Sequence, residues 1–306
     1  MRHMTRRDVM TTLGGAAAAA AAWRRDTQAA APERALGIQL YTVAADVGKD
    51  VPGTLQALAK IGYKVVESAG FAKLSAQDFR KRLDEAGLSC PSCHLPFSGA
   101  DPGPLFEDAH AVGALYATAS VLLPPAPAGG SAANLLKVLP TLTLDDFKKI
   151  AALANQIGAK ARAAGLQFVY HNHNFEFRNH GGGTTGYQVL LAETDANLVK
   201  FELDCGWATA AGQDIPEMLR RHPNRFRMLH VKDFVLKTKP TYELFGPDRP
   251  TGTELGRGQI DYKPIFAAAQ AAGVELYFSE QEPPIVNMTP LEAARVNFEY
   301  MHSLPA

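Results

Sequence analysis

A chain of 306 residues with 31 Lys+Arg against 31 Asp+Glu, 46% hydrophobic residues and three cysteines excludes several classes at once. So large an apolar fraction, with only 20% of residues charged, can bury a sizeable core, which rules out a disordered chain or a disulfide-stapled miniprotein. A formal net charge of zero also argues against a nucleic-acid partner, because a polyphosphate is bound through surplus Lys and Arg that displace counterions.

The first segment reads as an export signal, residues 1–31, ahead of one folded domain, residues 32–306. Thr5-Arg6-Arg7-Asp8-Val9-Met10 is a twin-arginine n-region, Met10 to Trp23 is a short Ala/Gly-rich apolar stretch, and Gln28-Ala29-Ala30-Ala31 offers small residues for cleavage. The apolar stretch stops at Arg24-Arg25, too short for a stable membrane anchor, since a spanning helix takes about 20 residues. Cleavage near Ala31 leaves 26 basic against 29 acidic residues. The expected location is periplasmic or secreted. Twin-arginine export carries folded proteins, which suits a chain that acquires a metal in the cytoplasm.

From Leu36 onward, short β-branched or aromatic runs alternate with longer segments of helical period. The runs are Leu36 to Val43, Tyr63 to Glu67, Leu88 to His94, Ala117 to Leu123, Gln167 to His171, Leu198 to Asp204, Arg225 to Val231 and Val274 to Glu280. Helices are predicted over Val51 to Ile61, Ala76 to Ala86, Leu144 to Ala164, Ile215 to Arg221, Lys263 to Ala272 and Pro290 to His302. Eight βα units predict an α/β fold, a single-domain (β/α)8 barrel, with a doubly wound open sheet as the alternative. No glycine-rich phosphate loop follows Gln39-Leu40-Tyr41-Thr42, so a nicotinamide enzyme is not expected. Long connections at Pro124 to Leu139, Asn172 to Thr185 and Phe234 to Asp261 each follow a strand. In a barrel they gather on the face where sites form.

Several runs stop at groups that bind metals or move protons: Glu67, His94, His171 with His173, Glu202 with Asp204, His230 with Lys232, and Glu280 with Glu282. Spacing at i, i+2 puts each pair on one face of a strand. If that face is the barrel interior, His171, Asp204, His230 and Glu280 converge as a mixed imidazole and carboxylate set suited to Mn, Co, Zn or Mg. Glu67 and His94 stand between substrate contact and a structural role. Glu202, Glu176 and Glu282 read as supporting or surface residues. Trp207 either floors a sugar site by stacking or packs in its loop. Cys90 and Cys93 resemble a redox pair, but i and i+3 on a strand lie about 10 Å apart on opposite faces, too far for a disulfide. Cys205 is a third, isolated thiol, and His171-Asn172-His173 has the letters of a nuclease motif in the wrong setting.

The segments Gly62-Tyr63-Lys64-Val65-Val66-Glu67, Cys93-His94-Leu95-Pro96, Tyr170-His171-Asn172-His173, Glu202-Leu203-Asp204, His230-Val231-Lys232-Asp233, Gly256-Arg257-Gly258-Gln259-Ile260-Asp261 and Ser279-Glu280-Gln281-Glu282 resemble, in order and position, the xylose isomerase-like sugar phosphate isomerase/epimerase family. That resemblance implies a divalent metal on Asp204, His230 and Glu280, with a fourth ligand after strand five. There the family's epimerases carry Glu, whereas this chain has His171, which is similar to the inosose dehydratase branch. The implied chemistry is proton abstraction beside a sugar carbonyl. Glu280 is the base, Lys232 or His94 donates a proton if burial brings its pKa toward neutrality, and Glu67, His173, Trp207 and Arg257 contact substrate. Isomerisation or epimerisation, dehydration, and cleavage of a 3-keto-glycoside all remain open. Two rival classes are a non-catalytic sugar-binding barrel and a DNA-repair endonuclease, the latter disfavoured by charge. Export points to a non-phosphorylated sugar or glycoside as partner; assembly into a homo-oligomer stays open.

Overall fold

Eight parallel strands close into a barrel in a computed structural model that describes residues 35–125 and 135–305. The proposed signal peptide and its cleavage site lie outside the described residues, as does the middle of the connection Pro124 to Leu139. The barrel strands are β1 Ala35–Gln39, β2 Val65–Ala69, β3 Ser89–His94, β4 Tyr116–Ala119, β5 Gln167–His171, β6 Val199–Asp204, β7 Phe226–Val231 and β10 Leu276–Ser279. They pair in chain order, and β10 closes against β1. The open-sheet alternative is thereby excluded. Two short strands, β8 Asp233–Val235 and β9 Thr251–Thr253, pair antiparallel within the connection that follows β7.

Strand alternation sorts the core into two layers. Tyr170, Phe201, Leu203, Leu229 and Val231 belong to the main hydrophobic core with the helices. Val169, Met228, Leu276 and Phe278 form a separate buried cluster; they share parity with His171, His230 and Glu280 and therefore fill the barrel interior beneath them. The helix Leu144–Ala163 shows why the outer layer forms. Phe147, Ile150, Ala151, Ala154, Ile157 and Ala161 are buried at helical spacing, and Thr143 and Asp146 make a capping box at its start. Thr289 and Glu292 make the same box at the start of the helix Pro290–Ser303, and Ser75 caps the helix Ala76–Ala86 by accepting from Asp78 N.

The first strand is shorter than its apolar run. The Gln39 side chain accepts from Tyr41 N at 3.1 Å, and Leu40–Val43 turns into a 3-10 helix. β10 likewise ends at Ser279, which leaves Glu280 just past the strand, its backbone N–H bonded to Val231 O at 3.1 Å. All three cysteines are buried and free, as the strand geometry of Cys90 and Cys93 predicts. Among the described residues no helix is long and apolar enough to cross a membrane.

The connection after β7 is organised by one carboxylate. Asp233 Oδ1 accepts from Phe234 N at 2.9 Å and Ile260 N at 3.2 Å, and Oδ2 accepts from Gly256 N and Gly258 N, both at 3.0 Å. Gly258 is required by this close approach: a Cβ there would lie 2.1 Å from Asp233 Oδ1. The Gly256-Arg257-Gly258 motif therefore works through its amides. The Arg257 side chain is half-exposed, pairs with Glu254 at 3.4 Å and is not among the residues lining the cavity at the strand ends. Removing a carboxylate that satisfies four buried or half-buried donors is expected to be costly. Asp233→Ala should lower unfolding stability by about 3 kcal/mol, read as a fall in the urea midpoint at unchanged m-value.

Candidate active site

Parallel register decides which strand-end groups meet. Gln39 lies beside Glu67, His171 beside Glu202, and Asp204 beside His230. The inward residues of β2, β3, β5, β6 and β7 then form two tiers at the carboxyl end of the barrel.

The deeper tier holds two carboxylates and three imidazoles. Glu67 accepts from Gln39 Nε2 at 2.8 Å and Ser92 Oγ at 2.5 Å. Its Oε2 also lies 2.7 Å from His230 Nε2 and 3.1 Å from His94 Nε2. Glu202 Oε2 is ringed by His171 Nδ1 at 2.9 Å, His94 Nε2 at 3.0 Å and His230 Nε2 at 3.2 Å. Glu67 and Glu202 are fully buried, which corrects two expectations. Glu67 does not reach the cavity as a substrate contact, and Glu202 is a central residue rather than a supporting or surface one. The signal for Glu202 was present, since its i, i+2 spacing from Asp204 already puts both on the inward face.

The upper tier is built around an ammonium. Lys232 Nζ lies 2.9 Å from Asp204 Oδ2, 2.8 Å from Glu280 Oε2 and 2.5 Å from Glu282 Oε1. Glu280 Oε2 also lies 2.9 Å from His230 Nδ1, so the His230 ring joins the tiers. Glu282 is an ion-pair partner of Arg249 as well and accepts from Trp207 Nε1 at 2.9 Å. Asp204 caps the helix Cys205–Ala210 by accepting from Trp207 N at 2.7 Å. Gly206 lets that helix approach, because a Cβ would sit 2.9 Å from Lys232 Cβ. Trp207 itself is fully buried, with Lys232 Nζ 5.3 Å and Arg249 Cζ 5.4 Å from its ring. No face of it is left for a sugar, and the packing role holds.

A cavity of about 510 Å³ opens onto these tiers. His94, His171, His173, Glu280 and Glu282 line its inner part, while Tyr41 and Phe245, 48% and 42% exposed, stand among its lining residues as aromatic walls. Asp204, His230 and Lys232 lie buried behind the lining. A second space of about 550 Å³, lined by Arg178 and the Lys237 to Glu243 segment, contains none of the strand-end donors.

Burial and charge set the protonation of these groups. Burial lowers His94, but Glu67 and Glu202 outweigh it and raise the imidazole to about 10; His230 is held well above its ordinary value by Glu202 and Glu280 against the same burial. Burial raises Glu202, and Glu67 adds to that, yet His230 and the hydrogen bonds from His171 and His230 bring it down to about 2. His171 is driven well below its usual value by burial and by His230, and His173 falls to about 4 through burial. Asp204 rises to about 6 because burial exceeds the pull of Lys232 and His230. Lys232 loses to burial but gains more from Asp204, Glu280 and Glu282, and stays well above its ordinary value. Its three carboxylate partners thus oppose the shift toward neutrality that the expected role as a proton donor requires.

The residues fit a divalent ion on two counts. Ligand atoms of His94, His171, Glu202 and His230 all lie within 4.8 Å of one another, and so do those of Asp204, His230 and Glu280. Glu202 Oε1 is buried without any hydrogen-bond partner, an expensive state for a carboxylate oxygen. One divalent ion also carries the charge that protons on His94 and His230 otherwise supply, and metal binding of this kind releases them. The expected set His171, Asp204, His230 and Glu280 is thus divided between the two groups, with His230 common to both.

Comparisons with known proteins agree with this barrel. A family model described as the xylose isomerase-like TIM barrel matches residues 55–302. An inosose dehydratase of Clostridium perfringens is 32% identical over 163 residues, covering 50% of this chain and 53% of the relative; the chain spans about half the length of the first curated relatives it matches. An inosose dehydratase of Mesomycoplasma hyopneumoniae is 27% identical over 313 residues, covering 97% of this chain and 92% of the relative. A sugar phosphate isomerase/epimerase structure from Parabacteroides distasonis superposes with a TM-score of 0.70 at 24% identity, over 92% of this chain and 98% of that one. An L-ribulose 3-epimerase superposes at 0.61 with 16% identity, over 88% and 94%. These structural likenesses show the fold.

One carboxyl beside the site makes pH visible in stability. Glu176 is buried, accepting from Tyr170 Oη at 3.1 Å and His173 N at 3.0 Å, and burial raises it to about 8. Between the unfolded value of 4.5 and about 8, the folded chain holds a proton that the unfolded chain releases, so this group's contribution to stability falls as pH rises, by up to about 1.4 kcal/mol per pH unit. Glu176→Gln keeps one donor and one acceptor and does not titrate. Its stability relative to the parent should climb from about pH 5 to about pH 8 in urea melts; a flat difference means the carboxyl is ionised throughout.

Proposed function

The chain belongs to the xylose isomerase-like TIM barrel family, and from that premise we propose that it is a divalent-metal-dependent enzyme that abstracts a proton beside the carbonyl of a non-phosphorylated keto-sugar. The observation that carries this reading is the cavity whose inner wall presents Glu280 directly above a buried cluster of imidazoles and carboxylates. A divalent ion held by residues of that cluster, His230 among them, would supply Lewis-acid polarisation of the substrate oxygens.

Glu280 is suited to the base. It lines the cavity, and Lys232 and His230 hold its carboxyl well below the usual range against the opposing effect of burial, so it is ionised and ready to accept a proton. Its orientation is fixed by contacts at 2.8 Å and 2.9 Å from Lys232 Nζ and His230 Nδ1. The α C–H pair of electrons moves toward the carbonyl oxygen, and the proton passes to Glu280. Return to the same carbon from the opposite face gives epimerisation, and delivery to the former carbonyl carbon, with the neighbouring hydroxyl proton passing to the former carbonyl oxygen, gives isomerisation.

Elimination is the outcome with specific support. An epimerase needs a second base on the opposite face of the substrate. At the position where the family's epimerases carry that carboxylate, this chain has His171, whose Nδ1 is engaged by Glu202 at 2.9 Å. With one carboxylate, the proton that Glu280 accepts can be handed to an oxygen leaving from the β-carbon, and water or an alcohol departs. The inosose dehydratase relatives support that reading. The proposed export signal favours a free keto-sugar or 3-keto-glycoside as substrate.

Glu280→Gln should lower kcat on such a substrate by about 10²–10⁴-fold while the thermal midpoint stays close to that of the parent. Unchanged turnover would remove Glu280 from the chemistry, and no turnover of any keto-sugar by the parent, with sugar binding intact, would leave a binding barrel.

A further inference from the structure

We propose that the outer part of the cavity is a subsite for a leaving group, and that the substrate is a 3-keto-glycoside with an aromatic aglycone rather than a free keto-sugar. This inference rests on the proton-abstraction reading above and names the class of molecule on which it acts.

The cavity of about 510 Å³ has two unlike parts. Glu280, Glu282 and three histidines make its inner lining. Most of the remainder is apolar and comes from the connections: Tyr41 after β1, Leu95 after β3, Val121 and Leu135 after β4, and Leu244 with Phe245 after β7. Neither Lys nor Arg is among the lining residues, so a phosphate on the ligand would meet no counter-charge there. A sugar whose α C–H reaches Glu280 lies at the titratable part. At about 20 Å³ per close-packed non-hydrogen atom, a keto-hexose of about twelve such atoms takes up about 240 Å³, roughly half of the space. The apolar part is left for what the sugar carries.

The two aromatic walls are held in place with their surfaces open. Tyr41 N donates to Gln39 Oε1 at 3.1 Å where the 3-10 helix begins. The connection that bears Phe245 is tied down ahead of it, Thr241 N donating to Ala210 O at 2.9 Å and Asn174 Nδ2 to Glu243 O at 3.1 Å, and beyond it by the ion pair of Arg249 with Glu282. Of the six large hydrophobic residues exposed among the described residues, Leu115 alone precedes a barrel strand; Tyr41, Leu74, Val235, Phe245 and Val286 follow strands, on the face where the cavity opens. Apolar surface gathered at a cavity mouth suits a ligand group that gains by leaving water. Flat rings at Tyr41 and Phe245 match a flat aglycone, which they meet by stacking or edge to face.

The chemistry agrees with that occupant. In a 3-keto-glycoside the carbon that loses its proton to Glu280 stands between the ketone and the glycosidic carbon. The C–H electron pair becomes a double bond to the glycosidic carbon, the bond from that carbon to the aglycone oxygen breaks, and this oxygen takes up the proton. The products are an unsaturated keto-sugar and a free phenol, with no oxidant or water consumed. A phenoxide is a weaker base than an alkoxide and leaves more readily.

The test compares phenyl and methyl 3-keto-glucosides, both anomers, on the full chain loaded in turn with Mn, Co, Zn and Mg. Released alcohol is measured, together with enzyme-dependent deuterium uptake from D2O beside the ketone. The parent should release phenol with a KM at least about tenfold below that for the methyl glycoside. Phe245→Ala and Tyr41→Ala, both at exposed positions, should each shrink that ratio at least about threefold. Equal KM values for the two glycosides, or a ratio that neither substitution moves, overturns the subsite and leaves the proposed function standing. Deuterium uptake without release of phenol also overturns the subsite and still supports proton abstraction. No uptake and no release with any of the four ions overturns both.

Discussion

A carboxylate removed from water is tolerable only where cations or hydrogen-bond donors meet it, since the penalty is several kcal/mol per ion even after relaxation. This barrel buries Glu67, Glu202, Asp204 and Glu280 at one end, with Glu282 beside them. Every other feature of that end answers the resulting charge. Lys232 is drawn in among three of the carboxylates, Arg249 meets the outermost, and imidazoles separate the two deepest. Gln39 and Ser92 supply neutral donors to Glu67.

The fold makes such crowding stable because the cluster is fed from rigid, separate strands. Parallel register brings His171 to Glu202 and Asp204 to His230, and Val169, Met228, Leu276 and Phe278 form the apolar layer beneath. Phe278 touches the His230 ring edge to face, with centroids 6.4 Å apart. A side chain here cannot relax away from its neighbours without disturbing that packed interior. The connection from β7 to the next helix is tied in twice: Asp233 gathers the amides of its glycine-rich stretch, and Arg249 holds its distal part to Glu282. Loop residues such as Phe245 are thereby carried to the cavity.

The upper tier presents an ionised and oriented carboxylate to the cavity, which is what the proposed base needs. That carboxylate is Glu280, and Lys232 at 2.8 Å helps to keep it charged and in one orientation.

Much of this was legible in the sequence. The rhythm of apolar runs and helices specifies eight βα units, and alternation of period two specifies that Glu202 and Asp204, or Val169 and His171, share the inward face, because both patterns are local consequences of backbone geometry. Residue type at the strand ends likewise identifies where the chemistry lies. Partnership was not legible, since it depends on register, on where a strand gives way to a turn, and on what the loops cover. Gln39 joined the site through its register with Glu67, and Trp207 was buried with the helix that starts on Asp204. Sequence alone therefore determined the barrel and the inward-facing donors, while tertiary structure decided which carboxylates Lys232 neutralises and which are left to the histidines: the energy of a buried charge is set by its neighbours in space.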